Sequence, residues 1–340
     1  YSKMKKLSYP KNKINVLLLE KVDKIAFELF NDEGYNVESM DGSLSERELI
    51  DKIKNISILG IRSKTKVSKK VIDSGKKLLS IGAFCIGTNQ IKLDECDESG
   101  VVVFNAPYSN TRSVVEIVIA QMINLMRKII TKSNNMHSGI WKKDSIDSYE
   151  IRNKVIGIIG YGNIGSQLSV ICEALGMKVV YYDILDKLSI GNAKKCKSLN
   201  GLLRQSDIVS LHVDGRDSNT NLISHNEFDL MKEKSILINY SRGNIVDVDA
   251  LIKNIKNKKL MGAALDVFPE EPSNNEEGFI SKVKGIDEII LSPHIGGSTK
   301  EAQKNIGSYV PEKIIDFINT GNTSSSVNFP KLSLPEQSES

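Results

Sequence analysis

The chain contains two series of short segments in which almost every residue is apolar. Strands that are apolar on both faces are typical of a parallel sheet covered by helices on both sides. The intervening segments are polar and have helical spacing, so each series predicts one α/β unit. The first series comprises residues 14–20, 56–61, 78–84 and 101–107, and the second comprises residues 155–160, 178–183, 207–213, 235–241, 261–267 and 288–294.

The length of 340 residues also predicts about two domains. An amphipathic helical segment at 113–132 separates the two series. A second helical pattern at 299–319 follows the last strand and is free to pack back on the first unit. The expected fold class is α/β, with two Rossmann-like, doubly wound parallel-sheet domains that flank an active-site cleft.

Composition excludes several classes of protein. The net charge is only +4 and the lysines are spread along the chain, which argues against a nucleic-acid partner. The apolar run at 114–130 is interrupted by charged and polar residues, which argues against a membrane span. The four cysteines form no C-x-x-C pair and no His–Cys cluster with zinc spacing, so no metal site is expected. Buried free thiols fit a reducing, cytoplasmic setting.

The stretch VIGIIGYGNIG (155–165) contains the pattern G-x-G-x-x-G, which is weak evidence on its own. Here it lies between a predicted strand and a predicted helix, the context that a dinucleotide-binding loop requires. Gly160 would permit a tight turn, Gly162 the approach of a diphosphate, and Gly165 the packing of helix on strand. Asp183, at the end of the next strand, would bind the adenosine ribose hydroxyls and repel a 2′-phosphate. The predicted cofactor is therefore NAD.

Polar residues recur at the carboxyl ends of strands in the second series, where a doubly wound sheet binds ligands. These residues are Asp183, His212, Ser241, Arg242, Asp266 and His294. Hydride transfer at a 2-keto acid needs a cation for the carboxylate, a proton donor and a carboxylate behind that donor. Arg242 and His294 supply the first two, and Glu270 or Glu271 supplies the third. His212 is expected to be a hydrogen-bonded strand-end residue and not a catalyst.

Three further motifs are more specific: SRG (241–243), DVFPEEP (266–272) and PHIGGST (293–299). With the glycine loop they resemble the D-isomer-specific 2-hydroxyacid dehydrogenases. On the substrate side the chain resembles the D-3-phosphoglycerate dehydrogenases of that family, through IRSKT (61–65), CIGTNQIKLD (85–94), FNAPYSNTRSVVE (104–116), GIWKK (139–143) and VNFPKLSLP (327–335). The resemblance implies NAD-dependent oxidation of 3-phospho-D-glycerate to 3-phosphohydroxypyruvate, the first step of L-serine biosynthesis.

The resemblance also implies roles for matching residues. Arg242 corresponds to the substrate-binding arginine, His294 to the acid–base residue, and Glu271 to the glutamate that pairs with it. The implied cofactor contacts are Gly160, Gly162, Asn163, Ile164, Gly165 and Asp183 on the adenosine side, and His212, Tyr240, Ser241, Arg242, Asp266, His294, Ile295, Gly296 and Gly297 elsewhere. The implied substrate contacts are Arg62, Ser63, Lys64 and Asn110 for the phosphate, the backbone of Ile86 and Gly87 for the carboxylate, and Lys143, with a neighbouring subunit as its expected source.

The family architecture implies a substrate-binding domain of residues 1–109 and 298–335, an NAD-binding domain of residues 110–297, and a polar tail at 336–340. Full-length relatives continue into a serine-binding regulatory (ACT) domain, which these 340 residues are expected to lack. We expect a homodimer or homotetramer with Trp141 as an anchor in the partner, or alternatively Trp141 as a core residue. Asp41, Asp214 and Tyr240 depart from the usual residues of relatives and are expected to affect affinity more than reaction type.

Two other functions are compatible with this fold. A reductase for unphosphorylated hydroxypyruvate or glyoxylate would not need the cations Arg62, Lys64 and Lys143. A non-catalytic, NAD-sensing interaction protein would not need an intact phosphate pocket. The presence of these cations favours a phosphorylated substrate over both alternatives.

Overall fold

The computed structural model describes residues 10–272 and 276–330 and divides the chain into two compact units. Unit 1 comprises Tyr1–Asn110 and Thr299–Ser340, and unit 2 comprises Thr111–Ser298. The predicted polar tail and the last part of the motif at 327–335 lie outside the described residues. The assignment of unit 1 to substrate binding stays a prediction.

Unit 1 is built on a five-stranded parallel sheet in the order β2-β1-β3-β4-β5. The strands are β1 (Asn15–Leu18), β2 (Asn36–Ser39), β3 (Ile58–Ile61), β4 (Ser80–Ala83) and β5 (Val102–Asn105), and the first helices are α1 (Lys24–Asp32), α2 (Glu46–Ile53), α3 (Lys69–Ser74) and α4 (Leu93–Glu98). Strands β3 and β4 are buried along their whole length, as their apolar sequences predict. Strand β2 was not predicted, because it is a short, largely exposed edge strand of mostly polar residues that is positioned by its pairing with β1.

Unit 2 is built on a seven-stranded parallel sheet in the order β12-β11-β10-β9-β6-β7-β8. The strands are β6 (Val155–Ile159), β7 (Lys178–Tyr182), β8 (Lys194–Lys195), β9 (Ile208–Leu211), β10 (Ser235–Asn239), β11 (Leu260–Leu265) and β12 (Ile289–Leu291). The helices are α5 (Thr111–Arg127), α6 (Ile129–His137), α7 (Asn163–Ala174), α8 (Leu199–Gln205), α9 (His225–Leu230) and α10 (Val248–Lys256). The strand order reverses between β9 and β6, which is the point where sheets of this class bind ligands.

Both sheets are entirely parallel in their pairings, so the predicted fold class of two doubly wound α/β domains is confirmed. The prediction of one helix at 113–132 is wrong. Helix α5 ends at Arg127, and Lys128 has a left-handed backbone with φ of 52°. The carbonyl of Met126 accepts a hydrogen bond from Tyr149 N at 2.8 Å, so a distant segment replaces the next helical turn.

The last helix, α11 (Lys300–Thr320), belongs to unit 1. It begins where the Thr299 side chain accepts a hydrogen bond from Ala302 N, and it ends before Gly321 with φ of 76°. A Cβ on Gly82 of β4 would lie 2.7 Å from Val310, so the helix packs closely on the sheet. The chain then returns to β5, where Asn328 accepts from Val103 N at 2.8 Å.

Among the described residues, no helix combines the length and the apolar composition that crossing a membrane requires. Cys96, Cys172 and Cys196 are buried thiols, as predicted. Burial raises the pKa of the Cys96 and Cys172 thiols to about 12, so both are uncharged at neutral pH.

Candidate active site

The glycine loop makes a tight turn at the carboxyl end of β6. Gly160 has φ of 91°, and a Cβ there would lie 2.5 Å from the carbonyl oxygen of His212. A Cβ on Gly165 would lie 2.2 Å from the carbonyl oxygen of Gly160, so α7 approaches β6 only through a glycine. Gly162 precedes α7 without a side-chain cap, and a Cβ there would meet no described atom within 4 Å. The uncapped N–H groups at Asn163 and its neighbours are the kind that bind a diphosphate.

Asp183 follows β7 directly, and two backbone N–H groups hold its carboxylate. Oδ2 accepts from Tyr161 N at 2.7 Å, and Oδ1 accepts from Leu185 N at 2.8 Å. The Tyr161 ring stacks on Tyr181 with centroids 3.7 Å apart, which fixes this part of the glycine loop. Each carboxylate oxygen can accept a further hydrogen bond, so Asp183 retains the capacity to bind ribose hydroxyls.

His212 lies at the end of β9, beside the glycine loop. Its Nε2 is 2.8 Å from Ser210 Oγ, but its Nδ1 is buried and has no hydrogen-bond partner among the described residues. His212 is thus a hydrogen-bonded strand-end residue, as predicted, but only through Nε2. Burial lowers the pKa of His212 to about 4, so the ring is neutral at physiological pH. A buried polar atom without a partner at this edge of the sheet fits a site that a cofactor completes.

The buried carboxylate of Asp266, just after β11, organises the loop that carries His294. Oδ1 accepts from Ser292 Oγ at 2.5 Å and from Ile295 N at 2.9 Å, and Oδ2 accepts from Gly296 N at 2.7 Å. Burial raises the pKa of Asp266, although these hydrogen bonds oppose the increase. The backbone N–H of His294 donates to the Asp266 carbonyl at 2.8 Å. The whole turn is thus built around one acidic residue.

His294 and Glu271 form a hydrogen-bonded pair, with Nδ1 of the imidazole 2.7 Å from Oε2 of the carboxylate. The other oxygen of Glu271 accepts from Phe268 N at 3.1 Å, which orients the carboxylate. The hydrogen bond to Glu271 raises the pKa of His294 and outweighs the opposing effect of burial. Burial alone would raise the pKa of Glu271, but the contact with His294 lowers it overall. The adjacent Glu270 is exposed and does not make this contact.

Arg242 lies in the turn after β10, and Asn239 shapes that turn. The Asn239 amide donates to the Arg242 carbonyl at 2.9 Å, and its oxygen accepts from Ser241 N and Oγ. A Cβ on Gly243 would lie only 2.0 Å from the carbonyl group of Phe268, so the two turns meet backbone to backbone. The charge of Arg242 acts on His294, whose pKa it tends to lower. Arg242, His294 and Glu271 are therefore brought into one electrostatic site.

Tyr240 packs behind the same turns. Its ring lies 3.0 Å from the position of a Cβ on Gly296, and its hydroxyl is 2.9 Å from Ser292 Oγ. Burial raises the pKa of Tyr240, so the phenol stays protonated and contacts Ser292 as a neutral hydroxyl. Ser292 thus links Tyr240 to Asp266. The sequence analysis missed both Ser292 and Asn239, although a buried polar residue at a strand end was a usable signal.

In unit 1 the structure brings Arg62 and Gly87 together, because β3 and β4 are neighbours in the sheet. The Gln90 amide donates to the Arg62 carbonyl at 2.7 Å and to the Gly87 carbonyl at 3.4 Å. The side chain of Asn105 donates to the carbonyl of Ile86 at 2.6 Å. These side-chain bonds fix the two loops that the sequence predicts for phosphate and carboxylate.

Glu20 and Asn110 are two further polar residues of unit 1 near the predicted substrate loops. The Glu20 carboxylate accepts from Lys64 N at 3.0 Å and from Thr65 N at 2.8 Å, so it holds the IRSKT loop, while Ser63 is exposed. The Oδ1 atom of Asn110 is buried and has no partner among the described residues. Lys143 is an exposed residue of unit 2. Glu20 and Gln90 were missed because nothing local in the sequence distinguishes them from ordinary surface residues.

Residues 119–296 match the family model described as D-isomer specific 2-hydroxyacid dehydrogenase, NAD binding domain. The D-3-phosphoglycerate dehydrogenase of Dictyostelium discoideum is 48% identical over 328 residues, which is 96% of this chain and 81% of that protein. The protein of the same name from Escherichia coli strain K12 is 47% identical over 333 residues, covering 98% of this chain and 81% of that protein. The chain belongs to the D-isomer specific 2-hydroxyacid dehydrogenase family.

The fold of this dehydrogenase is also similar to that of a family member of known structure. The NAD-complexed D-isomer specific 2-hydroxyacid dehydrogenase of Lactobacillus delbrueckii ssp. bulgaricus aligns with a TM-score of 0.80 and 25% identity, covering 92% of this chain and all of that one. Unit 2 of the dehydrogenase contains the range that matches the NAD-binding model.

Replacing Gly243 by alanine should separate the Arg242 turn from the Phe268 backbone, because the new Cβ would overlap that carbonyl group. We expect a loss of about 1–3 kcal/mol in the free energy of unfolding, typical of overpacking, measured by urea denaturation. Gly278→Ala is the matched control, since a Cβ there meets no atom of the described residues within 4 Å. Equal stability of the two variants would contradict the close approach.

Glu271→Gln should lower the pKa of His294, because the carboxylate that stabilises the imidazolium is lost. The measurement is an NMR titration of the imidazole signals, which come from only four histidines. The pair stabilises the fold while Glu271 is ionised and His294 is protonated. This contribution is lost as the pH rises through the raised pKa of His294, and also as the pH falls through the lowered pKa of Glu271. Glu270→Gln is the control. An equal effect of both substitutions would exclude a specific pair.

Proposed function

We propose that this dehydrogenase oxidises 3-phospho-D-glycerate to 3-phosphohydroxypyruvate with NAD, the first step of L-serine biosynthesis. The observation that carries the reaction type is the 2.7 Å contact of His294 with Glu271, in a site that also contains Arg242. The substrate is supported by the cationic loop of Arg62 and Lys64 and by relatives of 47% and 48% identity named D-3-phosphoglycerate dehydrogenase.

When bound, NAD accepts the hydride that leaves C2 of the substrate. Nδ1 of His294 is engaged by Glu271, so Nε2 is the nitrogen left to take the hydroxyl proton as the carbonyl forms. Glu271 stabilises the imidazolium that results. Arg242 binds the carboxylate with its planar fork and lies close enough to His294 to influence its pKa. In the reverse direction His294 returns the proton.

The loops of unit 1 are proposed to bind the phosphate and to share the carboxylate with Arg242. Arg62, Ser63 and Lys64 would bind the phosphate, because a phosphate oxygen prefers charge-assisted hydrogen bonds. The backbone of Ile86 and Gly87 would bind the carboxylate. The buried Oδ1 of Asn110 marks an amide with an unused polar atom, and rotation of the amide can present nitrogen instead.

The dehydrogenase is proposed to work as a homodimer or homotetramer in the cytoplasm. Trp141 has 77% of its surface exposed, so its alternative placement in the core is wrong. Met136, Ile140 and Ile146 are also at least half exposed and extend the same apolar segment. An apolar surface of this kind is typical of an interface, and Lys143 lies within it. The buried thiols of Cys96, Cys172 and Cys196 fit the reducing cytoplasm.

The phosphate loop can be tested by comparing NADH oxidation with phosphohydroxypyruvate and with hydroxypyruvate. We expect a strong preference for the phosphorylated acid, and Arg62→Ala should reduce that preference about tenfold or more, the effect of losing one charge-assisted contact. Arg47→Ala, an exposed arginine of α2, is the control. Equal rates with both acids in the wild type would favour a reductase of unphosphorylated acids instead.

His294→Ala should lower kcat by roughly a hundredfold or more in either direction, because the proton transfer loses its acid–base group. His225→Ala, an exposed residue of α9, is the matched control. NAD binding, followed by fluorescence, should persist in the His294 variant. An unchanged kcat would exclude His294 as the acid–base residue, whereas NADH binding without turnover of any keto acid by the wild type would indicate a sensor.

A further inference from the structure

Asp214 and Arg216 form an ion pair in the turn that follows β9. Nε of Arg216 donates to Oδ1 of Asp214 at 2.6 Å, and Nη2 donates to Oδ2, so the guanidinium engages both oxygens of the carboxylate. Two-point pairs of this geometry are stronger and more directional than a single contact. Both side chains are about half exposed, at 55% and 53%. The pair is therefore accessible to a ligand and open to competition by one.

The turn that carries this pair is held in place by two amide side chains. Asn219 donates to the Asp214 carbonyl at 2.9 Å and to Oδ1 at 3.2 Å. Asn244 donates to the Gly215 carbonyl at 3.3 Å. The position of Asp214 is thus fixed by contacts that do not involve Arg216, and the carboxylate acts as a fixed anchor for a longer, flexible side chain.

The turn stands at the same edge of the sheet as Asp183. The carbonyl of His212, two residues before Asp214, closely approaches Gly160, and Asp183 accepts from Tyr161 N of the same glycine loop. The negative charge of Asp183 acts on Arg216 and contributes to raising its pKa. Arg216 therefore lies within electrostatic range of the group expected to bind the adenosine ribose.

Lys195, another cation influenced by Asp183, is also paired with a carboxylate, through a single contact. The charge of Asp183 also contributes to raising the pKa of Lys195, whose principal cause is the hydrogen bond to Asp186. Nζ of Lys195 donates to Oδ1 of Asp186 at 2.6 Å. Both of these cations are thus already paired with another carboxylate, Arg216 with Asp214 and Lys195 with Asp186.

We propose that Asp214 is a specificity-determining residue for the coenzyme, because it retains Arg216 and so withholds a guanidinium from the 2′-phosphate of NADP. Asp183 repels that phosphate, and Asp214 occupies the cation that would otherwise bind it. Arginine is the residue that binds such a phosphate most effectively, through the same two-point geometry that Asp214 uses here. The proposal rests on NAD binding by unit 2 and is independent of the identity of the acid substrate.

The proposal predicts that Asp183→Ser and Asp214→Asn act together on NADP binding. Asp183→Ser alone removes the repulsion but leaves Arg216 paired, so only a modest gain in NADP binding is expected. Asp183→Ser with Asp214→Asn should bind NADP about tenfold more tightly than the single Asp183 variant, since one charge-assisted contact to phosphate becomes available. Adding Arg216→Ala to the double variant should abolish that additional gain.

The experiment measures dissociation constants for NAD, NADP and adenosine 2′,5′-bisphosphate by calorimetry, with kcat/KM for both coenzymes as a second readout. Asp217→Asn is the matched control, because it removes the same charge from the same turn and the described structure gives Asp217 no ion pair with Arg216. An Asp214 effect no larger than the Asp217 effect, or one that survives Arg216→Ala, would overturn the proposal. Failure of the wild type to bind NAD would instead overturn its premise.

Discussion

The buried carboxylate of Asp266 is the constraint on which the active-site half of unit 2 depends. It accepts hydrogen bonds from Ser292, Ile295 and Gly296, and its own backbone carbonyl binds the N–H of His294. A carboxylate can be buried only when its oxygens are satisfied in this way. Removing these partners would leave a buried charge, so the turn and the carboxylate stabilise each other. The histidine is held at φ of 53° by this arrangement and not by its own preference.

The other turns follow the same principle at shorter range. Gly243 allows the Arg242 turn to touch the Phe268 backbone, and Phe268 N then orients Glu271. Asn239 supplies hydrogen bonds that the strand can no longer provide once β10 has ended. Backbone contacts thus position Arg242, His294 and Glu271. Side chains positioned in this way need little reorganisation during the reaction, which is the basis of electrostatic preorganisation.

The strands and most of the candidate site could be predicted from the sequence. The strands of a parallel sheet are apolar on both faces, and such sheets bind ligands at the carboxyl ends of their strands. The glycine loop, Asp183 and the pairing of His294 with a neighbouring glutamate follow from residue type and position. Strand β2 and the break at Lys128 could not be predicted, since partners far along the chain determine both. The same holds for Glu20 and Gln90, whose roles arise from bonds to loops 44 and 28 residues away.

The position of α11 has a consequence for the order in which the chain can fold during synthesis. Unit 2 is one uninterrupted segment, Thr111–Ser298, inserted between the strands of unit 1 and the helix that completes its core. Ile306, Val310 and Ile314 of that helix are buried in the same apolar cluster as Ile58 and Phe104. The ribosome delivers them only after unit 2, so the earlier half of unit 1 has exposed apolar surface until the inserted domain has been made. Domains generally fold as units. Unit 2 is therefore expected to fold before unit 1, although the synthesis of unit 1 begins first.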